Sequence, residues 1–129
     1  MPAEVLSTIV KEQQTAILSF ELVDGNGDAI DGVQLTTVTL TYYDLISEAI
    51  INSRENQNIY NANDVTVVVV ASPLSTTVTW TLQPEDTIIV DSRRETEEHI
   101  ALFHWTWDSG NRSAAKEIQF TVENLLYVP

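Results

Sequence analysis

The sequence has no cysteine, and this absence excludes several kinds of chemistry at once. Disulfide bonds, thiol nucleophiles and every cysteine-containing metal site are ruled out. Glycine and proline are also scarce, with four of each among 129 residues, so a low-complexity disordered chain is not expected. The length predicts one domain of ordinary size, large enough to bury roughly two thirds of its unfolded surface.

Basic residues are few. The 19 acidic side chains outnumber the 6 basic ones, which gives a formal charge of −13. Such a surface repels phosphate backbones and anionic lipids, so neither nucleic acid nor a membrane surface is an expected partner. The surplus could simply keep a β-rich domain soluble, or it could complement a basic surface on a partner.

Long hydrophobic runs are missing as well. The longest uninterrupted apolar run covers residues 67–71, far short of a membrane span. Residues 1–4 contain no basic segment of the kind that begins a secretion signal. We therefore expect the chain to be made in the cytoplasm and used without secretion by a signal of its own.

Residues with branched β-carbons are abundant. Threonine, valine and isoleucine number 15, 14 and 11, which favours pleated sheet over helix. Alternation with a period of two predicts strands near residues 15–22, 33–43, 76–82, 99–107 and 114–123. Residues 65–71 predict a covered strand, residues 88–90 predict a short one, and residues 49–51 could add another. The spacing predicts an antiparallel β-sandwich of about seven strands.

Two details of these strands can be tested directly. In the second strand the apolar set shifts from Val33 and Leu35 to Val38, Leu40 and Tyr42, which predicts a β-bulge at residues 36–37. The polar segment 108–112 predicts the turn of a hairpin between the last two strands.

The first 14 residues lack this alternation. We expect an N-terminal arm over residues 1–14, outside the sandwich strands, and a sandwich domain over residues 15–129. The arm could fray, fold back on its own domain, or dock on a neighbouring subunit. In the last case its apolar side chains would be assembly contacts: Val5, Leu6, Ile9 and Val10.

No pattern indicates catalysis, a cofactor or a metal. Asp24, Asn26 and Asp28 have the spacing of a calcium loop, but its twelfth position is Leu35, so a plain turn is the better interpretation. His99 and His104 are five residues apart on one strand and would lie on opposite faces of the sheet. No serine stands in a nucleophile motif. We predict no catalytic, cofactor-binding or metal-ligating residues and no small-molecule substrate.

The aromatic side chains allow more than one interpretation. Phe103, Trp105 and Trp107 share one face of a strand, and Trp80 lies on another strand. Packing in the core is the commoner use of such rings. A platform that stacks on sugars and a subunit interface are the alternatives.

As a whole, residues 15–124 resemble a family of small accessory virion proteins of tailed bacteriophages, whose domains are immunoglobulin-like. The resemblance is carried by an opening strand into an Asp-Gly turn, a Tyr-Tyr strand, a Trp strand with a Gln-Pro-Glu-Asp end, and the closing aromatic hairpin. These are residues 16–27, 38–44 with 50–54, 80–86, and 98–107 with 120–122.

The resemblance implies an immunoglobulin-like sandwich and a structural role in the virion. It implies capsid decoration or a place at the neck between head and tail, protein-protein contacts with capsid or neck subunits, and self-association. No catalytic residue is carried over from the family. Two other classes remain open at this point: a carbohydrate-binding or adhesion module that uses the tryptophans, and a non-viral assembly domain.

Overall fold

The computed structural model describes residues 4–11 and 15–125, with side chains from residue 9 onward. It is an all-β sandwich of two sheets, as predicted. Eight strands follow one another along the chain: β1 (Glu4–Lys11), β2 (Ile17–Glu21), β3 (Leu35–Asp44), β4 (Gln57–Asn58), β5 (Val65–Ala71), β6 (Leu74–Thr81), β7 (Thr96–Trp107) and β8 (Arg112–Glu123). Short 3₁₀ helices occupy Gly32–Gln34 and Pro84–Thr87.

The five-stranded sheet has the order β1-β8-β7-β3-β4, and the three-stranded sheet has the order β2-β6-β5. Apart from β1, which runs parallel to β8, neighbouring strands are antiparallel. In an immunoglobulin-like sandwich, strands B, E and D lie in one sheet and strands C, F and G lie in the other. Here β2, β6 and β5 take the places of B, E and D, and β3, β7 and β8 take the places of C, F and G.

The core lies between the two sheets and contains the predicted aromatic residues. Trp80, Phe103 and Trp105 are almost fully buried, and Trp107 is 8% exposed. The Phe20 ring lies 4.6 Å from Phe103, centroid to centroid. The core interpretation of these rings is therefore confirmed, and they present no platform for stacking on a sugar.

The bulge at residues 36–37 is confirmed by a register shift in the pairing of β3 with β7. Val38, Leu40 and Tyr42 point into the core beyond it. Val33 does not belong to the inward set, because it lies in a 3₁₀ helix before the strand and is 82% exposed. The closing hairpin is also confirmed, with its turn between Trp107 and Arg112.

Two short strands expected from the sequence are absent as strands. Residues 88–90 follow the Pro84–Thr87 helix without strand pairing, and the Val90 N–H donates to the side chain of Glu97 instead. In the segment 49–51, only Ile50 makes an isolated bridge, to Tyr43.

The expectation that the lead-in contributes no strand is wrong over residues 4–11. These residues form β1, which pairs with β8 at the edge of the larger sheet, and Val10 packs in the core at 7% exposure. Ile9, its neighbour, is 55% exposed. Val5 and Leu6 lie in β1, and their side chains are outside the described part of the structure.

Candidate functional site

Two loops at one end of the sandwich carry a group of exposed apolar side chains. One loop follows β3, and the other leads from β6 into β7. We call these side chains the apolar end surface: Leu45, Ile46, Ile50, Ile88 and Val90, which are 38–72% exposed.

The two loops form adjoining depressions that share Ile50. One depression is lined by Tyr43, Leu45, Glu48 and Ile50. The other joins Ile50 to Ile88 and Val90, with Glu85 at its border. Leu45, Ile50, Ile88 and Val90 thus form one surface with carboxylates at its margin, and Ile46 is exposed beside Leu45 in the same loop.

A buried ion pair holds this end from beneath. Arg54 donates through Nε to Asp86 Oδ1 at 2.5 Å and through Nη2 to Asp86 Oδ2 at 2.9 Å. Both side chains are almost completely buried, and the Arg54 guanidinium lies 5.3 Å from the Trp80 ring. Asp86 Oδ2 also accepts from the Gln83 N–H, so the carboxylate fixes its own 3₁₀ helix. The pair ties the loop after β3 to the segment between β6 and β7.

The first apolar loop is held by Asp44, the last residue of β3. Its Oδ2 accepts from the Ser47 N–H at 2.9 Å and from the Ser47 hydroxyl at 2.7 Å. Arg94 Nη1 donates to both Asp44 oxygens. Burial alone would raise the pKa of Asp44, but the hydrogen bonds from Ser47 and Arg94 outweigh it and lower that pKa. Asp44 therefore stays ionised and fixes the turn that carries Leu45 and Ile46.

The second apolar loop is held by Glu97 in the same way. Its two oxygens accept from the Val90 and Asp91 N–H groups, each at 2.7 Å. Glu97 lies on the inward face of β7, and its side chain is fully buried. Charge-assisted bonds to backbone N–H groups are about twice as strong as neutral ones. Glu97 thus fixes the backbone of residues 90–91 in the loop that also carries the exposed side chain of Ile88.

His99 connects these groups to the core. Its Nε2 lies 2.9 Å from Glu97 Oε1, and its Nδ1 lies 2.9 Å from the Tyr42 hydroxyl. Tyr42 donates to the Asp86 carbonyl at 2.6 Å. Burial lowers the pKa of His99 despite the neighbouring Glu97, and burial raises the pKa of Tyr42 well above its usual value. Burial thus favours the neutral form of each side chain.

Asp44, Glu97 and His99 bring three potential metal-ligating atoms within 4.8 Å of one another. All four carboxylate oxygens, however, already accept hydrogen bonds: Arg94 reaches both carboxylates, and Ser47, Val90 and Asp91 supply the others. The guanidinium of Arg94 provides the positive charge that a cation would bring. The cluster is better described as an internal support for the two loops than as a metal centre.

The other predicted residues do not belong to this cluster. In the segment proposed as a plain turn, Asp24 Oδ1 accepts from the N–H groups of Asn26 and Asp28, as in a turn closed by its own aspartate. His104 is exposed while His99 is buried, so the two histidines do lie on opposite faces of β7. Ile9 lies at the edge of the larger sheet.

The supporting residues were missed at the sequence level. The strand predicted near residues 99–107 begins three residues too late, because β7 already begins at Thr96. Extending the inward alternation of Ala101 and His99 back by two residues places Glu97 in the interior. This alternation is the sequence signal that identifies Glu97 as a buried residue. No comparable signal pairs Arg54 with Asp86, which are 32 residues apart.

Comparison with known protein families and with curated protein sequences finds no match for this chain. Within residues 4–11 and 15–125, no helix is long and apolar enough to cross a membrane.

Proposed function

We propose that this protein is a non-enzymatic structural component of a bacteriophage virion and that it docks on a capsid or neck subunit through its apolar end surface. The proposal joins two separate grounds. The resemblance of residues 15–124 supplies the virion context, and the apolar end surface supplies the physical means of attachment.

One observation carries the docking part: four exposed large aliphatic side chains on two loops line adjoining depressions, and a fifth, Ile46, is exposed next to Leu45 in the sequence. Scattered exposed apolar residues are ordinary, but a contiguous group with a polar margin is typical of a protein-protein contact. Here Leu45, Ile50, Ile88 and Val90 line adjoining depressions, and Glu48 and Glu85 form the polar margin.

The support beneath the surface favours docking over casual exposure. Asp44 and Glu97 hold one loop each, and the Arg54–Asp86 pair ties the two sides together. Loops that are already ordered lose little conformational entropy when a partner binds, so more of the contact energy appears as affinity. Assembly on a particle benefits from such preorganisation, because each copy must bind in the same orientation.

Charge indicates the chemistry of the partner. Glu48 and Glu85 border the depressions, and the chain carries −13 overall. A subunit that presents apolar side chains flanked by lysine or arginine would complement this end. The exposed Ile9 on β1 is a second candidate contact, whereas Val10 is occupied in the chain's own core.

The carbohydrate-binding alternative has weaker support. It depended on Trp80, Phe103, Trp105 and Trp107, and these rings are packed between the sheets. Their burial removes the stacking platform that the sequence left open.

The test is loading of the chain onto particles of the phage that encodes it. The double variant Ile50→Asp/Ile88→Asp adds charge to exposed positions and leaves the core unchanged. Val33→Asp is the matched control, because Val33 is 82% exposed at the opposite end of β3. Circular dichroism and thermal unfolding establish that both variants fold.

We expect mass spectrometry of purified particles to detect the wild-type chain and the control at equal copy number. The double variant should be depleted by roughly tenfold or more, which corresponds to about 1.4 kcal/mol of lost binding. Absence of the wild-type chain from particles would overturn the virion role. Full loading of the double variant would overturn docking through the apolar end surface.

A further inference from the structure

The edge strand β5 exposes backbone hydrogen-bonding groups. Leu22 N–H donates to the Thr76 carbonyl, and Leu82 N–H donates to the Ala16 carbonyl, so even-numbered residues of β6 point their backbone groups toward β2. Thr81 N–H donates to the Asp64 carbonyl on the other side. Because hydrogen-bonded and non-hydrogen-bonded pairs alternate in an antiparallel ladder, the odd-numbered residues of β5 point their backbone groups away from β6.

In the described part of the chain, the N–H group has an acceptor at two of these four outward-pointing residues of β5 and has none at the other two. The Val65 N–H donates to the Ala62 carbonyl, and the Val67 N–H donates to Asn61 Oδ1 at 2.7 Å. Among the residues that the structure describes, the N–H groups of Val69 and Ala71 have no such acceptor. The open part of the edge is therefore short and lies at the β5–β6 hairpin.

The outer face next to this edge is almost free of charge. Register pairing places the following side chains on it: Ile17, Ser19 and Glu21 from β2, Ser75, Thr77, Thr79 and Thr81 from β6, and Thr66, Val68 and Val70 from β5. Only Glu21 is charged, in a chain with 19 acidic residues. Val68 and Val70 are 50% and 43% exposed.

Natural edge strands are usually protected by lysine, proline or a bulge, because an open apolar edge pairs with other strands. From Val65 to Ala71, β5 has none of these. Its sequence has high β-propensity and no charge, which is typical of segments that pair when left uncovered. An edge of this kind needs an occupant.

We infer that a second copy of this chain covers the edge, through antiparallel pairing of β5 with β5 across a twofold axis at Val70. The edge can pair with a copy of itself. The outward-pointing backbone N–H and C=O of Val69 pair with those of Ala71 in the second copy, and the twofold axis generates the same pair in reverse. This register uses the two open N–H groups of each chain and leaves the Asn61 contact to Val67 intact. The three-stranded sheet becomes a six-stranded sheet.

Charge favours this face over the rest of the surface as the place where two copies meet. Two chains of −13 repel one another over most of their surface, and the outer face beside β5 is where they can meet with little repulsion. The inference is independent of the virion role, because it concerns the isolated chain in solution.

Crosslinking tests the register. The chain has no cysteine, so single-cysteine variants report on one position each. Residues facing one another in a non-hydrogen-bonded antiparallel pair have Cα atoms about 4.5 Å apart, which a disulfide can span. Under mild oxidation we expect Val70→Cys to form a covalent dimer. Ile17→Cys is the matched control, since Ile17 is exposed on the other edge of the same sheet.

Sedimentation velocity tests the association itself without any crosslink. We expect a concentration-dependent dimer for the wild-type chain, and an association constant lowered by about tenfold or more in Val70→Lys, because like charges would then face one another across the axis. Ile17→Lys should associate like the wild type. The inference is wrong if the wild-type chain stays monomeric at high concentration, or if Ile17→Cys crosslinks and Val70→Cys does not. Ile50→Asp/Ile88→Asp should dimerise normally, which separates this result from particle loading.

Discussion

Arg54 and Asp86 form a fully buried, two-pronged ion pair between loops that are far apart in the sequence. Nε and Nη2 of Arg54 each contact a different oxygen of Asp86, and the guanidinium also lies near the face of Trp80. The planar fork of arginine matches a carboxylate in a way that lysine cannot. The pair joins the two halves of the apolar end, so its loss should affect both stability and loop order.

The first prediction concerns this pair. Arg54→Leu removes the only charged partner that the described structure gives Asp86 and leaves a buried carboxylate, so we expect a loss of about 3–5 kcal/mol in the free energy of unfolding. Chemical denaturation measures it. The double variant Arg54→Leu/Asp86→Leu should recover part of the loss, since no buried charge remains. A single-variant loss below about 1 kcal/mol would contradict the buried-pair description.

The sequence predicted the sandwich well because alternation records which face of a strand is buried. It also gave the bulge before Val38, where the inward parity changes. It did not give the Arg54–Asp86 pair, because a contact between two loops leaves no periodic trace. It misplaced residues 88–90 because their apolar pattern resembles a strand, whereas Glu97 takes up the Val90 and Asp91 N–H groups.

The second prediction concerns Glu97. In Glu97→Gln an amide nitrogen replaces one acceptor, so one of the two backbone N–H groups loses its partner. We expect a loss of about 1–3 kcal/mol in stability and faster hydrogen exchange at Val90 and Asp91. Glu95→Gln makes the same change of charge at an exposed position and should leave both amides protected. Unchanged exchange in Glu97→Gln would show that the carboxylate does not hold the loop.

The third prediction is a dependence of stability on pH. Burial lowers the pKa of His99 from its ordinary 6.5, so the unfolded chain takes up a proton at this site more readily than the folded chain. This contribution to stability is present above about pH 6.5 and declines as the pH falls. Asp44, with a pKa lowered from 3.8, adds a second decline below that pH.

The two histidines provide the comparison. Other groups in the chain also titrate between pH 7 and 5. The contribution of His99 is therefore read from the difference between two variants in how much stability each loses over this range. Chemical denaturation between pH 7 and 5 should give a smaller decline in His99→Gln than in His104→Gln, since His104 is exposed. Equal declines in the two variants would rule out His99 as the source.

The fourth prediction separates two neighbouring residues of β1. Val10→Asp places a charge in the core and should destabilise the chain by about 2–4 kcal/mol, whereas Ile9→Asp should change stability by less than about 0.5 kcal/mol. Thermal and chemical unfolding measure both. If β1 also contacts a neighbour, Ile9→Asp should lower the copy number on particles. Equal stability of the two variants would mean that β1 is not docked on β8.

The most direct measurement of the central claim is a cryo-EM reconstruction of the virion that carries this chain. The account predicts density for the sandwich on the capsid or neck, with the loops that carry Ile50 and Ile88 buried against a subunit that presents apolar and basic side chains. Particles that lack the sandwich would contradict the virion role. A sandwich attached with Ile50 and Ile88 facing solvent would contradict the docking surface.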